Sequence, residues 1–196
     1  MKMPKFKPIF KKNFYLTIML LSTILLGLFV INHLKQNTKT SIMIGGDFSL
    51  IDQNGEIFKS KYFKKKKLLY FGYTSCPDVC PFDLLKLSNL LDKNPILNKT
   101  LQSIFVSIDP DRDTTEVLKD YLDNFNPNII GLTGSNEQIN KIKKKFRIYV
   151  KLNKKNTKDT NYLVDHTVLF FLVNENDEYI THFRPNELES KIFKYI

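Results

Sequence analysis

The sequence predicts a mixed α/β domain with a largely parallel central sheet, carried behind one apolar N-terminal helix. Three observations carry that expectation. Residues 14–31 are eighteen consecutive positions without a charge. Apolar strand-like runs then alternate with segments of helical periodicity between residues 68 and 146, the order that yields parallel strands with helices on both faces. Two further strand-like runs, residues 167–173 and 179–183, flank a turn-rich segment and add antiparallel strands.

The eighteen-residue run meets the lower limit of about 17 residues for a bilayer-spanning helix. It is longer than a signal-peptide core of roughly 7–15 residues. No small-x-small cleavage site follows it; Asn32, His33, Leu34, Lys35 and Gln36 do. The run therefore reads as an uncleaved anchor. Lys2, Lys5, Lys7, Lys11 and Lys12 precede it, while Lys35 and Lys39 are the nearest cations after it. The positive-inside rule then makes residues 1–13 a cytoplasmic leader and exports the rest of the chain. The leader has no arginine, unlike an Arg-rich mitochondrial transit peptide. A bacterial inner membrane with the domain in the periplasm is the simplest placement; the mitochondrial inner membrane, facing the intermembrane space, is the alternative. Residues 32–44 read as a polar tether and residues 45–196 as the globular domain.

The formal net charge is +10, and the five leader lysines account for half of it. The other clusters are Lys64 to Lys67, Lys141 with Lys143 to Lys145, and Lys151, Lys154, Lys155 and Lys158. Such charge suits nucleic acid, but an exported compartment argues against that partner. Solvated faces and loops are the simpler reading, and a docking surface for an acidic membrane partner is the other.

Within the domain, Asp52-Gln53-Asn54-Gly55 separates two short apolar segments, and its Asn-Gly pair signals a β-hairpin. Residues 68–73 read as a central strand. Leucines 84, 85, 87, 90 and 91 give residues 81–91 one apolar helical face. Residues 104–108 form a second buried strand. Asp113, three residues before Glu116, resembles a helix cap, with the helix running to Phe125. Residues 128–132 are a short strand. Ser135 and Gln138 have capping-box spacing and open a helix to Phe146. Residues 148–152 are a candidate strand, and Pro185 is placed to begin a C-terminal helix. A hairpin, then βαβα, then ββα is a thioredoxin-like arrangement with an added N-terminal β-hairpin.

The chemistry centres on the chain's two cysteines, Cys76 and Cys80, placed between the central strand and the following helix. Four positions apart on a helix, they would share one face. A helix N-terminus favours the anionic sulfur. A structural disulfide is the plain reading in an exported compartment, but a bridge closing so short a loop stabilises little. A redox or metal site fits better. Thioredoxin-type redox pairs are Cys-x-x-Cys; the extra residue still permits a disulfide, and also lets two thiolates converge on a soft ion such as Cu(I) or zinc. Among the three histidines, His33 adjoins the apolar run and His182 lies in a predicted edge hairpin. His166 directly precedes the strand at 168–173, at the point where thioredoxins place a cis-proline facing the cysteines. Residue by residue, it is either a satisfied structural histidine or a third ligand. Asp78 and Asp165 flank these positions, as outer partners of the ligands or as a helix-start acid and a surface acid. Asp109, Arg112 and Asp113 read as fixing their loop by charge-assisted hydrogen bonds. Phe71, Tyr73 and Phe82 read as core and site-wall packing.

The segment from Tyr70 to Pro81 resembles the signature of the Sco (SenC) family, copper chaperones for cytochrome c oxidase assembly. Four further segments resemble it in order: residues 45–52, the loop Ser107-Ile108-Asp109-Pro110-Asp111-Arg112-Asp113-Thr114, Gly131-Leu132-Thr133-Gly134, and Val164-Asp165-His166. The resemblance implies one copper per chain, Cu(I) or Cu(II), held by Cys76, Cys80 and His166. It implies delivery to the binuclear copper site of oxidase subunit II. It also implies dealings with other copper chaperones or thioredoxin-like reductases. Lys64 to Lys67 depart from the family, standing where many relatives have a shorter turn. The alternative function is a thiol–disulfide reductase acting on the cysteines of that same site or on other exported proteins. Whether any enzymatic activity accompanies chaperoning is left open, with Cys76 and Cys80 as the redox pair if it does. A peroxiredoxin-like peroxidase is the weakest reading, because no arginine is placed beside Cys76.

Overall fold

The computed structural model describes residues 9–37, 44–156 and 160–196. Residues 1–8, six residues of the expected tether (38–43), Lys158 and the side chain of His33 lie outside the described residues. The chain divides into two compact units, 1–42 and 43–196. The first is built on helix α1, Ile9–Asn37. Its stretch Phe14–Asn32 has a mean hydropathy of 2.5, long and apolar enough to cross a bilayer. The helix continues past Ile31, so the first six residues expected in the tether are helical.

The second unit carries a seven-stranded sheet of order β2-β1-β5-β4-β3-β8-β9. Its strands are β1 (Ser49–Asp52), β2 (Ile57–Lys59), β3 (Lys66–Gly72), β4 (Leu101–Ser107), β5 (Ile129–Thr133), β8 (Phe170–Val173) and β9 (Tyr179–Phe183). Strands β3, β4 and β5 run parallel, and β1 and β8 join them antiparallel. The N-terminal hairpin forms as expected; Gly55, at φ +83°, supplies the left-handed residue of its turn. Leu68 to Phe71 are wholly buried, as a parallel strand covered on both faces requires. Each such side chain stabilises the fold by about 1.5–3 kcal/mol.

The connecting helices are α2 (Val79–Lys93), α3 (Pro95–Thr100), α4 (Thr115–Leu122) and α5 (Asn136–Phe146). Tyr70 of β3 bonds Asp83 of α2, and Phe105, paired with Tyr70 across the sheet, packs on Tyr121 just inside α4. Phe71 points to the other face and meets Phe146 of α5. Helices α2 and α4 thus cover one face and α5 the other. All buried hydrophobic residues described lie between Leu50 and Ile192, so this unit owns its core.

Four expectations need correction. Asp113 does not cap α4: the Thr114 hydroxyl accepts from Val117 N–H at 3.3 Å, and Asp113 is buried elsewhere. The expected strand at 167–173 is β8 alone. Residues before it form β7 (Leu163–His166), which pairs with β6 (Val150–Asn153) in a separate two-stranded sheet. Asp165 is a poor strand former, so β7 is read only through its partner. Helix α3 begins at Pro95, tolerated at a first helical position. Pro185 opens a turn, and the last α-helix, α6, is only Leu188–Lys191.

The fourth concerns the lysine run. Lys66 and Lys67 begin β3 instead of forming a solvated loop. Lys66 bonds the carbonyl of Tyr195. Lys67 is fully buried and pairs with Asp177 at 2.8 Å. The other Asp177 oxygen accepts from the Ser60 hydroxyl at 2.7 Å, and Ser60 Oγ accepts from Phe48 N–H at 2.9 Å. This network pins the β8–β9 turn and the N-terminal hairpin to the central strand. Removing one partner of a buried pair leaves an uncompensated charge, at a cost of about 3–5 kcal/mol. Lys67→Met will lower the stability of residues 44–196 by that order in urea unfolding. Lys67→Met/Asp177→Asn will recover part of the loss; a single mutant as stable as the parent would rule out a structural pair.

Candidate metal centre

Three segments meet at the C-terminal end of β3. Tyr73, Thr74 and Ser75 lead from the strand to Cys76, which lies in the turn before α2. Cys80 is in the first turn of that helix. The two cysteines therefore do not share a helix face; one sits on the approach and one inside. Cys80 is buried and Cys76 half-buried, and neither is in a disulfide. Gly72 permits the fit: a Cβ there would stand 2.9 Å from Cys80 Sγ and 2.8 Å from Phe105.

His166 ends β7 and faces this pair. Its Nε2 lies 3.5 Å from Cys80 Sγ. Its Nδ1 lies 3.0 Å from the carbonyl of Thr167. A carbonyl only accepts, so Nδ1 carries the proton and Nε2 presents its lone pair to the sulfurs. Thr167 is itself held at both ends by Tyr149, N–H to carbonyl at 3.1 Å and hydroxyl from N–H at 3.0 Å. The ligand atoms of Cys76, Cys80 and His166 all lie within 4.8 Å of one another. The Tyr73 ring meets the imidazole edge to face, at 5.9 Å and 84°.

The loop after β4 braces both ligand-bearing segments. Asp113 accepts from Thr74 N–H at 3.1 Å and from its hydroxyl at 2.6 Å, which holds the approach to Cys76. Asp109 accepts from the Tyr162 hydroxyl at 2.6 Å and pairs with Arg112 Nε at 2.5 Å. Arg112 donates to the carbonyl of Tyr162 at 2.9 Å and lies 3.7 Å above its ring. Tyr162 precedes β7, so these bonds hold the strand that carries His166. Val164 N–H donates to the Tyr73 hydroxyl at 3.2 Å and closes the frame. The expected charge-assisted loop is present, and its reach to Thr74 and Tyr162 is what the sequence did not disclose.

The environment separates the two thiols. Cys76 is held well below the usual thiol range, at about 5, chiefly by a hydrogen bond from Cys80, with the N–H groups of Asp78 and Cys80 adding to it. Cys80 is pushed up, first by donating that bond and then by burial. Behind Cys80, the Tyr70 hydroxyl contacts both its sulfur and the buried carboxylate of Asp83, which burial raises. Sequence reading passed over Asp83, Thr167 and Tyr162. Asp83 occupies an apolar helix face, and that was the available signal.

The expected outer acids stand differently. Asp78 is exposed and its carboxylate makes no cap bond; its backbone N–H is what touches Cys76. Asp165 is exposed opposite Lys151, and Thr167 occupies the role foreseen for its carboxylate. Phe71 and Tyr73 are buried as expected, but Phe82 is 59 % exposed on α2. His182 is exposed on β9, its Nδ1 2.5 Å from the Tyr179 hydroxyl.

This is a thioredoxin-like domain whose reactive end carries two thiols and an imidazole in place of thiols alone. The SCO1/SenC family profile matches residues 36–196, and the chain belongs to that family. It is 42 % identical over 160 residues to an SCO2-like protein of Rickettsia felis, spanning 80 % of this chain and 77 % of that one. It is 36 % identical over 153 residues to the human mitochondrial SCO1 homolog, spanning 76 % and 50 %. Bradyrhizobium japonicum ScoI with copper bound superposes at a TM-score of 0.69 with 38 % identity, over 78 % of this chain and 99 % of that one. Yeast Sco1 with copper bound gives 0.68 and 32 %, over 79 % and 91 %.

The thiol asymmetry is measurable. In the reduced, metal-free domain, iodoacetamide will label Cys76 ahead of Cys80. Its rate will persist down to about pH 6 and fall as pH drops through about 5, because the lowered pKa keeps the thiolate present above that value. An ordinary thiol would already lose reactivity below about pH 8.5. Equal labelling of both cysteines in a mass-spectrometric time course contradicts this arrangement.

Proposed function

We propose that this chain is a membrane-anchored copper metallochaperone that delivers one copper ion to the binuclear site of cytochrome c oxidase subunit II during assembly. The observation that carries the reading is the convergence of Cys76, Cys80 and His166 within 4.8 Å, with the imidazole presenting Nε2. Two thiolates and one neutral imidazole are a donor set for Cu(I), and the imidazole also suits Cu(II). Similar structures from B. japonicum and yeast are described with copper bound. A three-donor set leaves a position open to an incoming thiolate, so cargo can pass by ligand exchange. Helix α1 supports the anchor. The leader lysines favour a cytoplasmic N-terminus and a periplasmic domain at a bacterial inner membrane.

A second reading has its own observation, the split between the two thiols. As a thiolate, Cys76 can attack a partner disulfide, forming a mixed disulfide and releasing one partner thiolate. Cys80 then loses its proton and attacks Cys76, freeing the second partner thiol. Two electrons pass to the partner, and the Cys76–Cys80 disulfide remains. Reduction and copper delivery would then be successive services to the same two subunit II cysteines.

The reduced domain will bind about one copper per chain, counted by metal analysis. Cys76→Ser, Cys80→Ser and His166→Ala will each weaken Cu(I) binding by more than about a hundredfold against a competing chelator, beyond the 10–100-fold of outer-sphere changes. Undiminished affinity in His166→Ala would falsify the three-ligand site. The reductase reading separates cleanly: His166→Ala should still reduce an oxidised subunit II peptide, and Cys76→Ser should not.

A further inference from the structure

Away from the metal centre, lysines from two separate elements meet. Lys59, Lys61, Lys141 and Lys145 line an open groove of about 460 Å³ between the β1–β2 hairpin and α5, with Asp47 the single acid in its lining. Asp47 answers Lys145 and Glu137 answers Lys141. Lys59 and Lys61 instead lie over the ring of Tyr62, at 5.8 and 5.2 Å. Lys64 and Lys65 follow, both exposed. The basic last turn of α5 offsets its helix dipole, an explanation that does not extend to Lys59 and Lys61. Ile57 and Tyr62 are 72 % and 68 % exposed beside them. Lysines around an exposed aliphatic and a tyrosine match the headgroup zone of a bilayer.

The path of the chain indicates the partner. Gly45 N–H donates to the carbonyl of Lys145 at 3.0 Å, and Lys145 Nζ bonds the carbonyl of Asp47, so the polypeptide enters the domain at this groove. Only residues 38–43 join that entry point to α1. Where α1 spans a bilayer, the reading on which this inference rests, the domain is tethered to a membrane, and lipid headgroups are the anions at highest effective concentration around it. We infer that the groove between the β1–β2 hairpin and α5 is a docking face for anionic phospholipid headgroups. It shares no residue with the metal centre.

Sedimentation of residues 44–196 with vesicles tests this apart from anchoring and copper. Phosphatidylglycerol–phosphatidylcholine vesicles will carry the domain down, and pure phosphatidylcholine vesicles will not. Each surface lysine contributes about 1 kcal/mol, so Lys59→Gln/Lys61→Gln/Lys141→Gln will weaken binding by roughly a hundredfold. Lys93→Gln/Lys99→Gln/Lys119→Gln makes the same charge change elsewhere and will keep most of it. The inference is overturned by equal loss in both triple variants, by no binding to anionic vesicles, or by retention on polyglutamate alone. That last outcome would point to an acidic protein. Failure of α1 as an anchor would appear separately, as release of the full chain from membranes at alkaline pH.

Discussion

The candidate metal centre depends on the loop between β4 and α4. Its donors come from segments about ninety residues apart in sequence, and neither holds its position alone. Cys76 lies in a turn, and His166 ends a two-stranded sheet outside the main one. Asp113 grips the first through Thr74; Asp109 and Arg112 grip the second through Tyr162. Because these are charge-assisted bonds with buried acids, they are short and directional. The distance between thiols and imidazole is therefore set by a group of residues that touches neither.

Within that frame the two sulfurs are made unequal by where the helix begins. Cys76 stands before α2 and receives its free N–H groups; Cys80 stands within its first turn, against Gly72 and Tyr70. One thiol is held anionic and half-exposed, the other neutral and buried. In the proposed function, such a pair would serve ligand exchange and disulfide exchange alike, with the outer sulfur placed to meet the partner and the inner one to complete the step. The imidazole, its tautomer fixed by the carbonyl of Thr167, is what adapts a redox pair to a metal.

Most of the architecture was legible in the sequence because it rests on local signals. The run at 68–73, the leucine face of α2, the Ser135–Gln138 capping box and the turn at Gly55 each name their own element. The misreadings occur where a distant partner overrides the local pattern. Asp113 has the spacing of a cap but is drawn inward by Thr74 and Ser107. Lys67 sits in a run of four lysines, yet is buried because Asp177 and Ser60 satisfy the far side of the sheet. Asp165, the natural guess for orienting its neighbour, points to solvent, since alternation along β7 puts adjacent side chains on opposite faces.

His166 stood out as a third donor only through the resemblance to the Sco family; by itself, the sequence determined the apolar helix, the α/β domain behind it, and two thiols at Cys76 and Cys80 between a strand and a helix. Those follow from hydropathy, periodicity and residue type, which are properties of short stretches. Tertiary structure alone decided that the donors converge, which thiol is the anion, and which imidazole nitrogen is free. It also gathered lysines from a hairpin and a helix into one groove. Each of these depends on contacts between segments far apart in the chain, where burial and hydrogen bonding act on groups whose separation no local pattern encodes.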